Sequence, residues 1–197
     1  IGTFAFALSG IRLAATKHYD WLGGFVCGVA VAIGGGTIRD VMLGLTPFWM
    51  SSPIYLLFTL LAQLVVIVCH HYLKRLDNTW FLFDTLGLAL FNIAGIQKTL
   101  DCGFPFWVAI IMGCITGSFG GVIRDVLLNE EPVIFRKEIY AMACVIGGLV
   151  YWGFSCLDVS LYVTVVASFV TVCAIRLLAV KYHISLPTLR DEDEKDN

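Results

Sequence analysis

Hydrophobic residues come in long unbroken blocks along this chain, and the polar residues collect between them. Seven such blocks run at about Ile1–Ala15, Trp21–Leu43, Pro53–Tyr72, Trp80–Lys98, Pro105–Leu128, Ile139–Phe154 and Val159–Val180. Each is near the ~20 residues an α-helix needs to cross a bilayer. The connections are brief, which predicts a compact helical bundle without a soluble domain. The first block is already apolar at Ile1, so a preceding segment is expected. No basic flank precedes it and it leads into further spans, which argues against a cleavable signal peptide. The end of the chain, 185–197, closes on Asp191-Glu192-Asp193-Glu194-Lys195-Asp196-Asn197 and reads as a solvated, disordered acidic tail.

The blocks are not independent. The stretch Gly34-Gly35-Gly36-Thr37-Ile38-Arg39-Asp40 returns as Phe119-Gly120-Gly121-Val122-Ile123-Arg124-Asp125, displaced by 85 positions. At that one offset, without gaps, residues 1–55 and 86–140 share fifteen identities, among them Gly2/Gly87, Phe6/Phe91, Gly10/Gly95, Gly28/Gly113, Pro47/Pro132 and Tyr55/Tyr140. The chain is therefore read as a duplication. Segments one to three (1–73) and four to six (80–154) form the repeats, and the seventh (159–181) stands outside them. Three spans per repeat is an odd number, so the second copy must enter the membrane from the opposite side. The expected fold is an all-α membrane protein with seven transmembrane helices, two inverted three-helix repeats plus one extra helix (3+3+1).

Composition agrees. The chain is 58% hydrophobic and 14% charged, with mean hydropathy +0.84; soluble domains carry about 25% charged residues. A net charge of −2 gives no nucleic-acid footprint. The seven cysteines lack CxxC or metal spacing and read as small packing residues. Lys17, Lys74, Arg75, Arg136, Lys137, Lys181, Arg190 and Lys195 fall after segments one, three, five and seven, with Arg12, Arg124 and Arg176 toward the same side. The other side has Arg39 and Lys98. The positive-inside rule then places the C-terminus in the cytoplasm and the N-terminus outside. Trp21, Trp49, Trp80, Trp107 and Trp152 mark span ends, as an aromatic belt does. His18, His70, His71 and His183 sit at span ends on the basic side and read as solvated.

Three consecutive glycines inside a span are costly, each about 1 kcal/mol relative to alanine in a helix. They let another helix approach closely, or they allow the helix to kink or unwind and free carbonyls beside a protein-lined or wet path. The second copy favours a pathway. Candidate pathway residues are Gly34, Gly35, Gly36 and Thr37 in segment two and Thr116, Gly117, Ser118, Phe119, Gly120 and Gly121 in segment five. The hydroxyls there join carbonyls around a cation or back-bond within the helix. Intramembrane charges are functional candidates by default. Arg39 lies roughly 27 Å along segment two, and Arg124 equally far along segment five. Neighbours on a helix point apart, so Arg39 and Asp40, and Arg124 and Asp125, are expected to need other partners. Depth matches Asp84 to Arg124 at the inner mouth and Lys98 to Asp40 at the outer one; the alternative is that these pairs only lock helices together. Asn92 and Gln97 read as interhelical hydrogen bonders, and Pro47 and Pro132 as terminators of the broken helices. Arg136-Lys137-Glu138 is an interfacial anchor or a contact with anionic membrane lipids beside the inner mouth.

The motifs GGGTIRDVMLG, GSFGGVIRDVLLNEEP and FRKEIYA, with SGIRLAATK in segment one, resemble the prokaryotic trimeric intracellular cation (TRIC) channel family, which overlaps with membrane proteins carrying a glycine-transporter domain. The resemblance runs from Ser9–Lys17 through segment six. It implies a homotrimer with a pore in each subunit, lined by kinked segments two and five. It also implies K+ and Na+ passing down their gradients as transported ions, with no cofactor, in a prokaryotic cell (inner) membrane. The kinks map to Gly34, Gly35 and Gly36, and to Gly117, Gly120 and Gly121. Lys137-Glu138 resembles the lipid-contacting and gating element of animal relatives, with Ile139 where they have valine. Phe119 replaces the Gly34 equivalent, so the second break is expected to be weaker and Phe119 to narrow the pore.

Physics alone leaves a second reading open. Inverted repeats with broken helices and buried charges equally suit a secondary transporter of a small zwitterion such as glycine. A membrane enzyme is disfavoured, since no nucleophile–base constellation or metal cluster accompanies the aspartates.

Overall fold

The computed structural model describes residues 1–69, 79–135, 139–182 and 184. Among these it has seven α-helices: α1 (Gly2–Thr16), α2 (Trp21–Met42), α3 (Ile54–Val68), α4 (Thr79–Asp101), α5 (Phe106–Leu127), α6 (Ala141–Cys156) and α7 (Leu161–Lys181). Short 3₁₀ turns, Phe48–Ser51 and Val133–Phe135, follow α2 and α5. Arg136, Lys137 and Glu138, His70, His71 and His183, the basic residues Lys74, Arg75, Arg190 and Lys195, and the acidic tail lie outside the described residues.

The helices are amphipathic in the sense opposite to a soluble protein. On α7 the buried positions are Thr164, Ser168, Val172, Arg176 and Ala179, a stripe at helical spacing. Leu161, Val163, Val166, Val170, Leu177 and Leu178 are exposed. On α3 the buried face is Thr59, Ala62, Gln63 and Val66, while Leu57, Leu60, Leu61, Leu64 and Val68 point out. Polar groups inside and leucines outside is the arrangement a hydrocarbon solvent selects, because each uncompensated polar group costs several kcal/mol there. Four helices (Trp21–Met42, Trp80–Asp101, Phe106–Leu127 and Leu161–Lys181) are long and apolar enough to cross a membrane, and Ile54–Val68 and Ala141–Cys156 are shorter apolar helices. The chain is a multi-pass, all-helical membrane protein.

Helices α1, α2, α5 and α4 form a closed square in which each packs on the next. Outside it, α3 lies on α1 and α2, α6 on α5 and α4, and α7 on α6 and α4. The packing repeats at the 85-residue offset. Phe6 and Phe91 stack with ring centroids 5.1 Å apart and planes 9° from parallel; each ring also covers the glycine equivalent to its partner's, Phe91 over Gly2 and Phe6 over Gly87. Gly28 admits Ile11 and Gly113 admits Ile96.

Both α2 and α5 end in the same way. Leu45 N–H donates to the Asp40 carbonyl and Glu130 N–H to the Asp125 carbonyl, each at 2.8 Å, around a left-handed residue, Gly44 (φ 70°) or Asn129 (φ 53°). These are Schellman stops. They end the helices before Pro47 and Pro132, so the prolines start the 3₁₀ turns and do not terminate α2 and α5.

Candidate functional site

The α2–α5 crossing is built from the repeated glycines. A Cβ on Gly35 would sit on the Thr116 carbonyl oxygen, and one on Gly120 would lie 2.7 Å from the Val31 carbonyl oxygen. Val31 and Thr116 are themselves equivalent positions, so the crossing is reciprocal: each helix's glycine receives the other's carbonyl. Gly117 meets the Leu88 carbonyl of α4 in the same way, at 2.9 Å, while Gly34 faces Ile123 and Gly36 the ring of Phe48. Gly121 lies under the Tyr140 hydroxyl, 2.6 Å from where its Cβ would be. This corrects the expectation of glycine breaks. Both α2 and α5 are helical without interruption through these glycines, because missing side chains are spent on close approach and the backbone hydrogen bonds stay within the helix. The hydroxyls follow suit. Thr37 donates to Ile33 O at 2.7 Å, Thr116 to Met112 O at 2.5 Å and Ser118 to Cys114 O at 2.7 Å. Thr37 also accepts from Trp49 Nε1 at 3.1 Å. Phe119 is half-buried.

Two charge clusters flank the crossing, at the C-terminal ends of α2 and α5. At the end of α5, Arg124 Nη1 donates to Asp84 Oδ1 at 2.5 Å and to Ser9 Oγ at 2.8 Å, and its Nε to Asp125 Oδ1 at 2.8 Å. Asp125 Oδ2 accepts Val133 N–H at 3.0 Å. The guanidinium carbon lies 5.2 Å from the centre of the Trp80 ring. Arg124 and Asp84 are wholly buried. At the end of α2, Arg39 Nε and Nη2 donate to Asp40 Oδ1 at 2.9 and 2.7 Å. Lys98 Nζ joins the same oxygen at 2.9 Å, and Asp40 Oδ2 accepts Phe48 N–H at 2.8 Å. A cavity of about 270 Å³, lined by Arg39, Phe48, Tyr55, Phe91, Ala94 and Lys98, opens beside it. Asp84 and Lys98 are fourteen residues apart on α4, roughly 21 Å, so one helix ties the two clusters to opposite ends of the bundle.

The neighbour pairs Arg39–Asp40 and Arg124–Asp125 correct a second expectation. Adjacent Cβ atoms do diverge, but these residues sit in the last helical turn. There the Asp turns back to cap the N–H eight residues on, and the long Arg curls round to meet it. Among the other polar candidates, Asn92 Nδ2 bonds the Cys144 carbonyl of α6 at 3.2 Å.

Compared with solved structures, the fold overlays on a trimeric intracellular cation channel orthologue from Rhodobacter sphaeroides, with TM-score 0.88, 32% identity, and 93% of this chain and 95% of that chain covered. It overlays also on a TRIC cation channel solved to explain conductance, with TM-score 0.86, 35% identity and coverage of 97% and 95%. The chain belongs to the prokaryotic TRIC channel family. A sequence model described as "Glycine transporter" matches it twice, over 1–71 and over 81–155, one match per half. The inner membrane protein YadS of Escherichia coli is 42% identical over 195 residues, covering 95% of this chain and 92% of YadS. A membrane protein of Vibrio cholerae is 40% identical over 191 residues, 95% of this chain and 79% of its own.

For this family member the residue reading missed three constituents of the α5-end cluster. Ser9 is a direct ligand of Arg124. Tyr140, 2% exposed, closes over Gly121; its identity with Tyr55 at the repeat offset was the available signal. Arg176 is fully buried, with its guanidinium 4.9 Å from the Phe81 ring centre and 4.6 Å from that of Tyr140. An arginine fifteen residues into an apolar span signals more than orientation.

Proposed function

We propose that this protein is a passive channel for monovalent cations, K+ and Na+, with the ion path in each subunit running along the α2–α5 crossing between the two charge clusters. The observation that carries this reading is the full-length likeness to solved TRIC cation channels at about a third identity. On this reading the reciprocal glycine contacts are the axis of an inverted repeat, α1–α3 against α4–α6, with α7 outside it (3+3+1). The cluster of Asp84, Arg124, Asp125 and Ser9, buried throughout, is the closed inner mouth. The Arg39–Asp40–Lys98 cluster, beside its cavity and with Lys98 a third exposed, is the outer one. The assembly is a homotrimer in a prokaryotic inner membrane, N-terminus outside and C-terminus in the cytoplasm. By its sequence, Arg136-Lys137-Glu138 is the element proposed to contact anionic lipid headgroups.

One observation favours a second reading, transport of a small zwitterion: the glycine-transporter description of the model that matches both halves. Recording the purified protein in planar bilayers under asymmetric KCl separates the two. Unitary current steps reversing near the K+ potential are expected. Silent bilayers together with saturable glycine uptake into proteoliposomes would replace the channel by the transporter.

A further inference from the structure

The two halves differ at one place where their scaffold is the same. Where the end of α1 meets the start of α2 and the last turns of α3, a cavity of about 420 Å³ opens, walled by Ala15, His18, Asp20, Trp21, Gln63 and Val66 among others. At the corresponding place in the second half, side chains pack on one another. There Ile96, Ala109 and Tyr151 form a buried cluster with Leu100, Phe106 and the α7 residues Val165 and Phe169 packed on it. The 85-residue offset pairs Ala15 with Leu100, Val66 with Tyr151 and Gln63 with Gly148. The first half thus has the smaller residue at two wall positions, no counterpart of α7, and a glutamine where the second half has glycine.

That glutamine is the telling residue. Gln63 is 8% exposed, and its Nε2 donates to the Trp21 carbonyl at 3.3 Å. Its Oε1 is buried and has no hydrogen-bond partner. An unmet carbonyl at a span end is costly unless something donates to it. The wall also carries the exposed His18 and an acidic residue: Asp20 caps α2 through Oδ1, which accepts Gly23 N–H at 2.7 Å, leaving its second oxygen and its charge. Apolar Ile11, Val66 and Ile67 complete the wall, and Trp21, 75% exposed, stands at its rim as an interfacial anchor does. The chemistry asked for is a compact cation with several N–H donors, carried beside an apolar body.

We propose that this cavity is a binding site for a primary ammonium group, donating to Gln63 Oε1 and to the Asp20 carboxylate, as an ethanolamine phospholipid headgroup or a free alkylamine supplies. The site is separate from both charge clusters and does not depend on the channel reading.

The test compares the full chain in nanodiscs of phosphatidylcholine with and without phosphatidylethanolamine, and with soluble ethanolamine added. Thermal unfolding and native mass spectrometry of retained lipid are the readouts, since trimethylation removes the N–H donors and nothing else of the headgroup. Three variants accompany the wild type. Ala15→Leu copies the filled half, Gln63→Leu removes the carbonyl, and Asp20→Ser keeps an N-cap while removing the charge. The wild type is expected to retain ethanolamine lipid over choline lipid by about tenfold, and each variant to lose most of that preference while staying folded. Stabilisation by soluble ethanolamine without a lipid preference supports the same site and assigns it to a free amine. Equal retention of ethanolamine and choline lipid with no stabilisation by soluble ethanolamine, or Ala15→Leu behaving as wild type, overturns the proposal.

Discussion

Gly35 shows how a single missing side chain sets the geometry of the site. A methyl group there meets backbone, the Thr116 carbonyl and the Gly120 nitrogen, which no rotamer change can move aside. Gly153, also in a span, has nothing within 4 Å of its Cβ position. Gly35→Ala is therefore expected to push α2 off α5 and destabilise the fold by about 1–3 kcal/mol, the usual range for overpacking. Gly153→Ala is expected to be neutral or slightly stabilising, since it removes a helical glycine. Thermal unfolding in lipid nanodiscs reads both. Equal melting temperatures for the two would show that the crossing yields without cost. The same residues mark the limit of reading the chain unaided. The motif's repetition located the crossing, but glycine composition is compatible with a tight crossing or an unwound helix. Only the position of the opposing carbonyl decides between them.

At the scale of elements, the ends of α2 and α5 carry more information than their middles. Each end combines a Schellman stop, an Asp that caps the N–H eight residues on, and an Arg held by that Asp. The helix terminus and the charge cluster are one structure, so loosening the stop should disturb the site. Gly44 gives a clean probe, because it has φ 70° and no atoms near its Cβ position. Gly44→Ala meets only the left-handed backbone penalty, about 1–2 kcal/mol. The matched change Asn129→Gly should stabilise by up to about 1 kcal/mol, since asparagine already tolerates that conformation. Chemical unfolding of the two variants beside wild type checks the opposite signs, and two changes of the same sign would refute the account. Depth counting along the spans was enough to pair Asp84 with Arg124 and Lys98 with Asp40, because charges in apolar surroundings have few partners to choose from. It was not enough to find Tyr140 or Arg176. Those enter through aromatic faces, and cation–π contacts leave no spacing signature.

For the whole molecule, the sense of insertion follows from where the cationic residues fall and from which chain ends meet. Lys17, after α1, is ion-paired with Glu130, after α5, and the Tyr19 hydroxyl donates to the Leu127 carbonyl at 3.0 Å. The loops after α1 and α5 therefore share one face of the bundle. Among the described residues Arg12, Lys17, Arg124, Arg176 and Lys181 belong to that end of the bundle and Arg39 and Lys98 to the other, so the first face should lie in the cytoplasm. The cysteines make this testable without adding a probe. Cys102 and Cys156 are exposed, at the ends of α4 and α6, which this orientation places outside. Cys69, just after α3, belongs to the cytoplasmic face. In single-cysteine variants, a membrane-impermeant maleimide added to intact spheroplasts should label Cys102 and Cys156 and leave Cys69 unmodified until the membrane is permeabilised. The reverse pattern would turn the molecule over. It would leave every helix contact described above unchanged and exchange the inner and outer mouths, making Lys98 cytoplasmic and the wholly buried Asp84–Arg124 pair the outer closure.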